Sequence, residues 1–142
     1  MAVQKEQQVA SIEDIEGIGP ANATKLKAMG ISTVEKLLER GATRSGRQEI
    51  VETTGARDDQ VLRWVNHADL YRIKGVAAEF AELLEAAGVD SVPELAQRSP
   101  ANLQKRMDEV NEQKKLTRRV PSESQVTAWV AEAKTLGRAV TH

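Results

Sequence analysis

The chain has 142 residues, a formal net charge of −1, a pI near 6.2 and no cysteine. That length holds one domain or two very small ones, the missing cysteine excludes disulfides and thiolate metal sites, and the charge offers none of the cationic excess that drives sequence-independent nucleic-acid affinity. No apolar run approaches the roughly 20 residues of a membrane span, and the start Met1 to Gln8 has no signal-peptide core, so a cytoplasmic protein is expected.

Residues 1–10 are polar and are expected to be a disordered tail. Ser11 is a helix-capping residue, followed by Ile12 and Ile15 on the buried side of about one turn. Gly17 and Gly19 let the backbone turn sharply, because glycine reaches positive φ without a Cβ clash. Pro20 opens a helix where its missing N–H costs nothing, and Gly30 stops that helix before Ile31 returns to the core. Ser32, Thr33, Val34 and Glu35 read as a capping box for a helix with Val34, Leu37 and Leu38 buried, ending near Gly41. Thr43 to Gly46 offer caps for a helix over about residues 46–54, closed by Gly55. Asp58 or Asp59 then starts a longer helix whose Val61, Trp64, Val65 and Ala68 share one face.

The pattern then recurs. Gly17 matches Gly75, Leu26 matches Leu84 and Gly30 matches Gly88, a constant shift of 58 without a gap. Asp90 or Ser91 caps a helix carrying Val92 and Leu95. Ser99 and Pro100 open another, with Leu103, Met107 and Val110, which runs through Lys115. After Pro121, Ser122 and Gln125 form a second capping signal for a helix with Val126, Trp129, Val130 and Ala133 on one face. That face repeats Val61, Trp64, Val65 and Ala68 at a shift of 65, so about seven residues are inserted around Val110 to Pro121. Every apolar set fits a helical period. The expectation is an all-α fold of two repeats, residues 11–70 and 71–136, packed about a pseudo-twofold axis as one compact domain, with 137–142 as a C-terminal tail.

Ile15, Gly17, Ile18, Gly19 and Pro20, followed by Ala23, Leu26, Gly30 and Ile31, resemble the helix-hairpin-helix motif. The resemblance implies that turn amides grip a nucleic-acid phosphate. The second hairpin resembles the motif less well, since Ala77 and Ala78 replace Gly19 and Pro20. The tandem layout is similar to an uncharacterised bacterial and archaeal domain family of this type.

The residues nominated for phosphate contact are Gly17, Ile18, Gly19 and Ala21 of the first hairpin and Lys25 on its helix. Arg44, Arg47, Lys114, Lys115, Arg118 and Arg119 supply loop cations. Lys74, Gly75 and Ala77 mark a degenerate second hairpin, where Glu79, Glu82 and Glu85 repel phosphate. Against this, the glycines serve equally to let two helices approach, the basic cluster is interleaved with Asp108, Glu109 and Glu112 as a solvated face would be, and the matched tryptophans are core anchors before they are stacking platforms.

His67 and His142 are too few and too far apart for a metal site, and no catalytic grouping or cofactor motif is present. Some helix-hairpin-helix proteins resemble lyases with a lysine nucleophile, a role that requires a lysine pKa lowered by burial, which sequence does not show. Two readings remain. One is a non-enzymatic module that binds DNA or RNA backbone weakly and without sequence preference. The other is a protein-interaction or self-assembly module. Neither calls for a membrane or a small-molecule substrate.

Overall fold

The first turn is made by two left-handed glycines: Gly17 has φ +96° and Gly19 φ +72°, conformations that a residue with a Cβ adopts only at a cost. They belong to a computed structural model that describes residues 10–141. The described residues are all-helical, with one isolated bridge between Ser11 and Thr33 in place of any strand. The chain divides into two units, Met1–Asp69 with Ala139–His142, and Leu70–Arg138. Apart from Ala10, the tail expected over residues 1–10 lies outside the described residues.

In the first unit the Ser11 hydroxyl accepts from the Glu13 amide at 3.2 Å and opens a single 3-10 turn, Ile12–Asp14. Helix α1 (Gly19–Ala28) follows the glycine turn. It ends where Gly30 takes φ +87° and the Ile31 amide reaches back to the Leu26 carbonyl at 2.9 Å. Helix α2 (Val34–Gly41) is capped by Thr33, whose hydroxyl accepts from Lys36 N at 3.1 Å, so the cap lies one residue later than the box expected at Ser32. The reason is the backbone around it. Ser32 gives its carbonyl to Ile12 N, and Val34 N is bound to the Ala10 carbonyl, which leaves Thr33 extended at the helix entrance.

Helix α3 (Arg44–Thr54) begins two residues before its expected start, capped by Thr43, and ends at left-handed Gly55. Helix α4 (Asp58–Leu70) buries Val61, Trp64, Val65 and Ala68 as the periodicity requires. A Cβ placed on Gly41 would run into the Val65 side chain, so α2 and α4 meet at a point only glycine permits. Gly41→Ala is accordingly expected to destabilise the protein by about 1–3 kcal/mol, the range for overpacking, despite alanine's better helix propensity. Urea denaturation checks this, and an unchanged or higher midpoint would mean that the two helices are free to part.

Residues 137–142 were expected as a tail, and two of them are held in place. Val140 is buried, and both the amide and the hydroxyl of Thr141 donate to the Ala42 carbonyl, at 2.8 and 3.1 Å. Two adjacent apolar residues, Ala139 and Val140, give no periodicity, so this docking has no signature in the sequence.

The second unit repeats several of these local solutions. Gly75 has φ +92° and Gly88 φ +99°, and Val89 N bonds to the Leu84 carbonyl at 2.8 Å as Ile31 does to Leu26. Helix α5 (Ala78–Ala86) has an extended Ala77 at its entrance, φ −133°, where the first hairpin has left-handed Gly19. Helices α6 (Val92–Ala96) and α7 (Pro100–Lys114) follow, the first capped by Ser91. Helix α8 (Glu123–Leu136) starts with the expected reciprocal box: Gln125 N donates to the Ser122 hydroxyl at 3.2 Å, and Ser122 N donates to the Gln125 side chain at 2.9 Å. Helix α8 packs against α6 and α7. Trp129 enters the core with Phe80 tilted across it, ring centroids 5.4 Å apart.

Candidate nucleic-acid interface

The first hairpin is exposed at Gly17, Gly19, Pro20 and Ala21 and buried at Ile18. Ile18 therefore does not serve as nominated: its side chain is in the core and its amide donates to the Ile15 carbonyl at 3.4 Å. Its part is to fasten the turn. Beside the turn lies a cation that the sequence reading missed. Arg63 on α4 donates from Nη1 to the Glu16 carbonyl at 3.3 Å, and the same nitrogen lies 2.9 Å from where a Cβ on Gly17 would be. Trp64 Nε1 stands 3.7 Å from that position. The absence of a Cβ at residue 17 thus admits a guanidinium to the turn. The available signal was the position of Arg63 one step round the helix from Trp64, at the edge of the buried face.

The other nominated cations of this unit separate into two kinds. Arg47 is a structural residue. Its guanidinium donates to the carbonyls of Gly41, Ala42 and Thr141 at 2.8, 3.3 and 2.6 Å, and burial, helped by the charge of Arg44, holds its pKa below the usual arginine value. Three inward carbonyls leave it no fork for a phosphate. Lys25 ties α1 to the end of α3 through the Thr54 carbonyl at 3.1 Å. Arg44 is exposed, and shares a shallow depression with Arg47, Gln48, Leu62 and Asp58, whose carboxylate competes with any incoming anion.

In the second unit Lys114, Lys115, Arg118 and Arg119 are all exposed and, among the described residues, none of them has a carboxylate within ion-pairing distance. Their loop is fixed from within. The Asn111 side chain exchanges two hydrogen bonds with the Thr117 backbone, each 3.0 Å, and Thr117 Oγ1 donates to the Arg119 carbonyl at 2.9 Å. Lys115 closes α7 in the left-handed region at φ +51°. Asn111 and Thr117 act as an internal brace, so the inserted segment is a shaped loop carrying four positive charges. Lys74, Gly75 and Ala77 of the second hairpin are also exposed, but the Lys74 amide is taken by the Glu132 carboxylate at 3.0 Å.

The nominated residues thus fall into two sets, one in each unit. Among the described residues no group of three or more His, Asp or Glu side chains is placed to hold a metal ion, and no helix is long and apolar enough to cross a membrane.

Braced loops, glycine turns and aliphatic cores define an all-helical protein of two small units. The family described as Domain of unknown function (DUF4332) matches residues 16–136, and the chain belongs to it. No curated protein and no solved structure matches the chain.

Proposed function

We propose that this is a non-enzymatic helix-hairpin-helix protein, two copies of one hairpin unit in tandem, that binds the phosphate backbone of DNA or RNA without reading bases. The observation that carries the reading is the first turn: exposed left-handed glycines at 17 and 19, with the Arg63 guanidinium against Gly17. Turn amides and an adjacent guanidinium are complementary to a phosphate oxygen, and neither discriminates among bases. Matched φ angles at Gly17 and Gly75, and the approach of each unit's tryptophan to its own hairpin glycine, support the tandem reading. The braced loop of Lys114, Lys115, Arg118 and Arg119 adds charge that attracts a polyanion despite the chain's net −1.

The test is duplex and single-stranded DNA and RNA binding as a function of salt. Gly19→Glu is expected to weaken binding at least tenfold relative to Gly19→Ala, which carries the same backbone strain without the charge. No atom lies within 4 Å of a Cβ at residue 19, so the comparison is free of clashes. Arg63→Ala should flatten the slope of log K against log salt on duplex DNA by about 0.9, the value for one phosphate contact, and Ala77→Glu should leave affinity unchanged. Negligible binding by the parent protein at physiological salt would sink this reading. The interaction alternative would then rest on self-association measured by sedimentation.

A further inference from the structure

We infer that the second hairpin is an anion site closed from within, with the Glu132 carboxylate seated where a phosphate oxygen would otherwise sit. The inference deepens the reading of the first hairpin as a phosphate contact and rests on it. The two turns share their backbone hydrogen bonds around the glycine. Ile15 N bonds to the Ile12 carbonyl at 3.1 Å and Ile18 N to that of Ile15 at 3.4 Å. Ile73 N and Val76 N make the same pair of bonds, to Leu70 and Ile73, at 3.1 and 3.0 Å. The glycines Gly17 and Gly75 differ by only a few degrees in φ. The two turns part at the amide of the residue before the glycine. No described group bonds to that of Glu16, whereas that of Lys74 donates to Glu132 Oε1 at 3.0 Å.

The groups facing the two turns are opposite in sign. At the shift of 65 that places Trp64 on Trp129, Arg63 corresponds to Ala128 and His67 to Glu132. The first turn is thus met by a guanidinium from α4, and the second by a carboxylate from α8. A carboxylate oxygen is the side-chain group nearest in chemistry to a phosphate oxygen as an acceptor for a turn amide. Because Glu132 is half-buried and held three residues beyond Trp129 on the same helix, it competes at high effective concentration with any anion in solution. The hairpins of one molecule then offer one phosphate contact. Replacing Glu132 should open a second.

The experiment follows backbone amides by NMR in the full chain during titration with inorganic phosphate against matched chloride. In the parent protein the Glu16 and Gly17 amides should shift and that of Lys74 should not. In Glu132→Ala the Lys74 and Gly75 amides should shift in a saturable way, with apparent affinity at least tenfold above the parent's at that turn. Glu132→Gln, which keeps the shape and removes the charge, should lie between. An unresponsive Lys74 amide in both folded variants would overturn the inference while leaving the first hairpin untouched. Unresponsive Glu16 and Gly17 amides in the parent would instead overturn the phosphate reading of the first hairpin, whatever Lys74 does.

Discussion

Trp129→Ala is expected to cost the protein about 3–5 kcal/mol, the range for truncating a buried tryptophan. The side chain is 3% exposed and lies on the same face of α8 as Val126, Val130 and Ala133. Phe80 packs across the ring, and an aromatic pair of this kind adds about 0.5–1.5 kcal/mol beyond area burial. The indole nitrogen stands 3.3 Å from the Cβ position of Gly75, so the same residue also backs the second turn. Small domains have about 5–15 kcal/mol in total, so much of the helical signal of the second unit should be lost well below the parent's urea midpoint. Lys115→Ala, on the exposed loop, should change stability by less than about 0.5 kcal/mol. Equal small losses in both variants would mean that Trp129 does not anchor the core.

Arg47→Ala is expected to destabilise by about 2–4 kcal/mol, since bonds made by a charged donor are worth about 1.5–3 kcal/mol each and are not additive. Three carbonyls lose their common partner at once: Gly41, Ala42 and Thr141. Arg47→Lys should recover only part, because an ammonium cannot match the planar fork that spans them. Arg44→Ala, by contrast, should stay within about 0.5 kcal/mol of the parent, because Arg44 is exposed. Denaturation of the three variants, with limited proteolysis after Arg138 as a local readout, decides the matter. If Arg47→Ala kept full stability and lost nucleic-acid affinity, the arginine would belong to the interface after all.

The contrast between Arg44 and Arg47 shows what a sequence reading can reach. The two residues are three apart on one helix, and nothing local distinguishes a solvated guanidinium from one bonded to a carbonyl 94 residues further on. Helices were legible because their signals are local. The Ser122 and Gln125 box, the stripe through Trp129 and the stops at Gly30 and Gly55 each depend on residues within a few positions. Thr33 was misplaced by one residue because its cap is decided by pairing with residues 10–12. Arg63 and Glu132 were missed for the same kind of reason. Each acts on a hairpin 47 or 58 residues away, although each lies within three residues of a tryptophan whose burial was foreseen. The legible part of the candidate site was therefore its backbone, and the illegible part was the charge brought to it.

The docking of residues 139–141 fixes an order of events during synthesis. The Thr141 carbonyl that Arg47 needs, and the Val140 side chain that fills the first unit, leave the ribosome after every residue of Leu70–Arg138. The unit translated first is thus completed last. A nascent chain paused before Ala139 would leave the Arg47 guanidinium and the place that Val140 takes uncovered until residues 139–141 arrived, and a chaperone or protease acting on newly made chains would meet the first unit in that unfinished form.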